Sequence, residues 1–241
     1  MIKVIMYAAK AIAIAVAALL FSSCNFNGTN GSGNVVSENR TVAGEFTAIS
    51  ASGGLEVFIE QGSKTSILVE ADDNLQKHIK TELSGDKLKI YCDINIHDAG
   101  AKRIMVTLPH IKSIESGAGS SVKSKTKLKN DTFSLTTNSG SSMEVAVHAR
   151  KVNCEADSGS SLNISGSTEE LQTNSGSGSS LNASELRAKT VTASSGSGST
   201  TQVNVTSVLT AEASSGSSIS FTGKPTSISK KESSGGSVNQ D

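Results

Sequence analysis

The sequence has no tryptophan, only two tyrosines and six phenylalanines among 241 residues, so a core anchored on large aromatic rings is excluded. A core must instead come from Val, Ile, Leu, Ala and Thr, which suits stacked strands. Prolines number two and cysteines three, with no C-x-x-C pair, which excludes a disulfide-dense scaffold and a thiol redox motif. Twenty-two basic residues balance twenty-two acidic ones, so no whole-chain field draws the protein toward nucleic acid. The four histidines are scattered without metal-ligand spacing, and no cofactor is expected. Long apolar runs are also missing, apart from "AIAIAVAALLF" between Ala11 and Phe21, which is too short to span a bilayer.

What is abundant is glycine and serine, and it is periodic. "SGAGSS" from Ser116 is followed by "NSGSS" from Asn138, "DSGSS" from Asp157, "NSGSGSS" from Asn174, "SSGSGS" from Ser194, "SSGSS" from Ser214 and "SSGGS" from Ser233. One glycine from each, Gly119, Gly140, Gly159, Gly178, Gly198, Gly216 and Gly235, recurs every 18 to 21 residues. A flexible linker has no reason to keep a period; a solenoid coil does. Three residues after these glycines stand Val122, Met143, Leu162, Leu181, Thr201 and Ile219. Two further on stand Ser124, Val145, Ile164, Ala183, Val203 and Phe221, with polar residues between the two columns. That is a strand with one buried face.

Before the glycine, Leu135, Cys154, Leu171, Val191 and Ala211 are expected as an inward column, with Thr137, Ala156, Thr173, Ala193 and Ala213 beside the turn. Asn138, Asp157, Asn174, Ser194 and Ser214 are expected at the bend, where Asn, Asp and Ser bond their own backbone and glycine adopts positive φ. Strands one coil apart run the same way and pair in parallel. The expected fold is all-β: a right-handed parallel β-helix, or β-solenoid, of about 20-residue coils over 113–241. Alternating runs within Phe46–Leu108 predict antiparallel or mixed strands that cap one end, over 42–112 in the same continuous domain. "DDNLQKHI" from Asp72 is expected as a short helix with an aspartate at its start.

The apolar run at the N-terminus reads as a secretory signal over 1–23. Its end, "FSSC", resembles a relaxed bacterial lipoprotein cleavage box, which implies lipid attachment at Cys24 and a membrane partner through that anchor. A plain signal peptide with a chance cysteine is the alternative. The Asn-, Gly- and Ser-rich stretch that follows is expected as a flexible tether over 24–41.

Chemistry-bearing constellations are few. Cys92 and Cys154 fall at inward positions, either as two buried thiols or as a disulfide in an oxidising periplasm. "KSKTKLK" places Lys123, Lys125, Lys127 and Lys129 on one outer face, either a basic stripe for an anionic partner or a solvated face with Glu144 beside Lys123. The serine hydroxyls of the corners have no repeated base to activate them, so no catalytic residue is assigned.

The leader, "FTAISASGGLEVFIEQG" with Gly53 and Gly54 ahead of alternating Leu55, Val57 and Ile59, and the S-G-x-S series together resemble the putative auto-transporter adhesin, head GIN domain family. The resemblance implies a β-helical fold on the cell envelope; the lipid-anchored chain is expected at the outer membrane, with the periplasmic or external face open. The expected function is a non-enzymatic envelope lipoprotein that binds a protein or glycan. A scaffold without a specific ligand is the alternative, and a carbohydrate-active enzyme the third reading.

Overall fold

The computed structural model describes residues 28–241. Apart from a single 3-10 turn at Gln76–His78, its regular elements are all strands, stacked as a parallel β-solenoid. Each repeat glycine sits at a corner in which two consecutive residues are left-handed, as in Ser139 (φ 52) and Gly140 (φ 67). Left-handed geometry costs a non-glycine residue roughly 1–2 kcal/mol. Even so, Ala118, Ser139, Ser158, Ser177, Ser197, Ser215 and Ser234 all adopt it. What offsets that strain is stacking: the Gly140 N–H donates to Ser158 O (3.0 Å), and Gly159 to Ser177 O, Gly178 to Ser197 O and Gly198 to Ser215 O repeat the bond. The period exists because each turn is hydrogen-bonded to the next.

The serine after each of the first six corner glycines turns inward. Ser120, Ser141, Ser160, Ser179, Ser199 and Ser217 are buried, and their hydroxyls donate to carbonyls of the preceding coil: Ala51, Ser116, Thr137, Ala156, Ser175 and Ser195. These hydroxyls line the inside of the corner and add a second donor to main-chain oxygens that already accept an N–H from the next coil, so the buried hydroxyls are themselves satisfied.

Beyond the corner the register runs Val122, Met143, Leu162, Leu181, Thr201, Ile219, Val238, as the sequence predicts. Before the corner the columns differ. Val152, Leu171, Val191 and Leu209 are aligned, as are Cys154, Thr173, Ala193 and Ala211, and then Ala156, Ser175, Ser195 and Ala213. Leu171, Val191, Thr173 and Ala193 thus lie one inward position earlier than expected. In those two coils the turn closes on Gly176 and Gly196, through Ser179 N to Gly176 O and Ser199 N to Gly196 O. Asn174 and Ser194 are therefore outward strand residues and not bend residues. A two-residue error leaves every side chain on its correct face, so alternation alone gives no warning of it.

The order of layers at the start of the stack is not the order of the chain. Strand Ala48–Ala51 pairs in parallel with Lys87–Cys92 on one side and Ser113–Ser116 on the other. Glu56–Gln61 pairs likewise with Lys102–Leu108 and Ser121–Ser124. The Gly53–Gly54 bend is therefore already a solenoid corner, stacked under the one at Gly119, and coil geometry begins at Ala48 rather than at 113. Antiparallel strands Ser66–Asp72 and Ile79–Ser84 are added to this end, giving the mixed pairing expected there. The expected helix shrinks to the 3-10 turn because Ser66–Asp72 runs on as strand and Asp72 is used elsewhere.

That use concerns the stretch expected as a tether. From Gly28 onward it is ordered: Val35–Arg40 pairs antiparallel with Ser66–Asp72, and Thr29–Asn30 pairs in parallel with Ile96–Asp98. It buries little apolar area; instead the Asp72 carboxylate, itself fully buried, accepts the N–H groups of Gly33 (2.8 Å) and Ala101 (3.0 Å). These bonds, Ala101 first and Gly33 next, hold the Asp72 carboxyl below its ordinary range. The sign follows: a depressed carboxyl stabilises the folded form above its unfolded pKa of about 3.9, and the contribution is lost as pH falls through the lower folded value. Amide protection in Val35–Arg40 is expected to drop on acidification below about pH 3.9, ahead of the coils; equal loss in both would disprove it.

At the far end no further strand pairs with Ser227–Glu232 or Ser237–Gln240 among the described residues. Lys230 occupies the inward column above Ala211, donates to Val238 O at 2.9 Å and lies 4.9 Å from the centre of the Phe221 ring. Glu232 accepts the Val238 N–H. Charged side chains folded over an open edge discourage further strand addition.

Candidate functional site

Cys24 lies outside the described residues. The lysine series is on the outer surface, but the strand breaks at 125–127 and the four side chains do not act as one stripe. Lys123 bridges Glu144 in the next coil (3.0 Å), the pairing its register predicts. Lys125 lies over the Phe58 ring at 4.8 Å, while Lys127 and Lys129 extend into solvent. Leu128 is buried; Ser124 and Thr126 are half-buried, their hydroxyls accepting Ala146 N–H and Gln61 N–H. An exposed pair such as Lys123–Glu144 contributes about 0–1 kcal/mol.

Cys92 and Cys154 are both free thiols. Full burial pushes the Cys154 thiol up to about 12, which keeps it unreactive at neutral pH. The histidines stay apart: His78 Nδ1 meets Asp93 at 2.8 Å and His148 Nδ1 meets Ser167 Oγ at 2.8 Å, both on the surface. Arg150 grips Asp131 through two bonds of 3.1 and 3.2 Å and holds that carboxyl below its usual range. The His148 and Arg150 contacts join residues on neighbouring coils, and the His78–Asp93 contact closes the end of the antiparallel pair Ile79–Ser84 and Lys87–Cys92. Among the described residues no cluster of three or more His, Cys, Asp or Glu is placed to hold a metal ion, and no helix is long and apolar enough to cross a membrane.

The outer face after the corner carries a polar concavity that the sequence reading missed. Ser124, Glu144, Ala146, Asn163, Ser165, Asn182 and Glu185 line an open groove of about 450 Å³ crossing successive coils. Val145 and Ile164, whose side chains are buried, line it as well, and the small residues Ala146 and Ser165 leave it open. One wall is made by a β-bulge. Asn163 pairs with Asn182 but Ser165 pairs with Glu185, and on the next coil Ala183 and Arg187 oppose the adjacent Val203 and Asn204. The extra residues push Glu185 outward and bend the strand, a common device beside binding sites. Asn182 Oδ1 accepts the N–H and hydroxyl of Ser184, which fixes the carboxamide and leaves its NH₂ group available to a ligand. Asn163 is exposed and makes no side-chain hydrogen bond within the described chain, so it presents both a donor and an acceptor. The only sequence signal was the polar column Glu144, Asn163, Asn182; the bulge that shapes it has no motif.

A second cavity, about 650 Å³, lies at the first corner and is lined by Gly28, Gly53, Gly54, Cys92 and the loop from Asp93 to His97. Ile94 and Ile96 are half-buried in that loop and its short edge strand.

Solved structures share this architecture. A putative adhesin from Bacteroides fragilis NCTC 9343 aligns with a TM-score of 0.83 at 20% identity, covering 89% of this chain and 100% of that one. A putative lipid binding protein from Parabacteroides distasonis ATCC 8503 gives 0.73 at 17% identity over 89% and 100%, and a putative adhesin from Parabacteroides merdae ATCC 43184 gives 0.72 at 16% over 89% and 99%. At these identities the likeness concerns the fold. No curated protein matches the chain. A family model, however, matches residues 45–225, the span from the first layer of the stack to the threshold of its last coil, and by that match the chain belongs to the putative auto-transporter adhesin, head GIN domain family.

Proposed function

We propose that this protein is a non-enzymatic, lipid-anchored envelope solenoid that binds another macromolecule through its outer face. The observation that carries the reading is the groove over Glu144, Asn163 and Asn182, where side chains able to donate and accept are held at fixed spacing by the parallel ladder. The adhesin description of the family supports a surface or envelope role. A lipid on Cys24 fits the fold: four residues reach at most about 14 Å, so the capped end that carries Gly28 would ride close to the membrane and the coils would extend away from it.

Two measurements test the proposal. Incorporation of a clickable palmitate into the wild-type chain and not into Cys24→Ser checks the anchor. Binding of the full-length chain to a glycan array, to envelope protein extracts and to lipid vesicles checks the ligand; vesicles are included because one neighbouring structure is described as lipid binding. Reproducible binding in one arm is expected. No binding in any arm leaves a scaffold role, and turnover of a polysaccharide overturns the non-enzymatic reading.

A further inference from the structure

We infer that the groove is a run of sugar subsites that takes an extended, uncharged polysaccharide lying along the solenoid axis, one sugar to each coil. This rests on the ligand-binding reading above and narrows it to one class of ligand.

The first argument is spacing. Neighbouring coils are about 4.8 Å apart, close to what one pyranose adds to an extended β-1,4-linked chain. Glu144, Asn163 and Asn182 are Cα partners in consecutive coils, so a chain laid along the axis meets an equivalent carboxamide or carboxylate at each sugar.

The second argument is chemistry. Carboxamides offer a donor and an acceptor in one plane, which suits vicinal hydroxyls that also do both. Asn182 is pre-oriented by Ser184, so little side-chain freedom is lost on binding. The anchors of a protein interface are absent from the groove: the exposed large apolar residues are Val35, Val36, Met105, Val208 and Ile228, none of which lines it. Charge then selects among glycans. Glu144 is partly neutralised by Lys123, but Glu185 forms no ion pair among the described residues, so an anionic chain is repelled while a neutral one is not. With no aromatic platform in the groove each sugar binds weakly, and affinity must accumulate along the chain.

The test is calorimetric titration of the full-length chain with cello- and chito-oligosaccharides of two to six units, and with hexagalacturonate as the anionic comparator. Affinity for at least one neutral series is expected to rise roughly tenfold or more from dimer to tetramer, with hexagalacturonate silent. Asn163→Ala is expected to lower hexamer affinity by roughly tenfold without moving the thermal midpoint, because the residue points outward. Equal affinity for dimer and hexamer, unchanged binding by Asn163→Ala, or tighter binding of hexagalacturonate overturns the inference. If every oligosaccharide is inert while a protein extract or vesicle binds, the sugar assignment falls and the ligand-binding reading stands. If nothing binds, both fall.

Discussion

Leu162→Asp is expected to abolish the cooperative unfolding transition, whereas Asn163→Asp, one residue along, lowers the midpoint by only a few degrees. Leu162 is fully buried between Met143 and Leu181. Removing it forfeits about 1.5–3 kcal/mol of burial, and an unpaired carboxylate in its place costs several kcal/mol more. Against a domain stability of about 5–15 kcal/mol, that is enough to unfold the chain. A solenoid has no second core to fall back on, since each coil is held by its two neighbours. Asn163 is exposed, and Asp there adds only a like charge one coil from Glu144, about 0.2–1 kcal/mol. Circular dichroism on heating distinguishes the two. Similar melting curves for both variants would mean that the inward and outward faces are misassigned.

Gly166→Ala is expected to be nearly as damaging, and more so than the same change at a corner. Gly166 lies inside strand Ser161–Ser175 at φ +114, opposite Val147, and a β-carbon there would stand 1.9 Å from Val147 O. The colliding atom belongs to a main chain locked in the ladder, so relief requires separating two coils. Backbone strain of this kind belongs to the class that costs about 4 kcal/mol or more. At the Gly159 corner, by contrast, a β-carbon meets nothing within 4 Å, and alanine incurs only the left-handed penalty of about 1–2 kcal/mol. Denaturant titration of Gly166→Ala and Gly159→Ala gives the comparison directly. A larger loss at Gly159 would refute the close approach at Val147. Gly223 repeats the arrangement against Val205 O at 2.1 Å, so the close approach is a feature of two coils.

The contrast between these glycines shows what was legible. Corner glycines announce themselves by period, and the residues three and five positions later alternate cleanly, so the corner, the strand after it and its buried face could all be read. Gly166 and Gly223 each stand seven residues after a corner glycine, but the other coils carry Thr126, Val147, Glu185 and Val205 there, and only the coil pressed against the two glycines reveals why they lack a side chain. The columns before the corner were misread in the coils of Leu171 and Val191, because a slip of two residues preserves alternation. The groove was legible only as a polar column; its depth comes from a bulge that appears when Asn182–Glu185 is laid against Asn163–Ser165.

Local chemistry thus determined the turn and the side of each strand, because φ preference and two-residue alternation are properties of a short stretch of chain. It determined the solenoid as well, since the period of the corners is a count along the chain. Only the tertiary structure decided which layers meet. It places Ala48–Ala51 between Lys87–Cys92 and Ser113–Ser116, and secures a polar N-terminal stretch on the buried carboxylate of Asp72. Those choices depend on hydrogen bonds between residues tens of positions apart, and no short-range pattern records them.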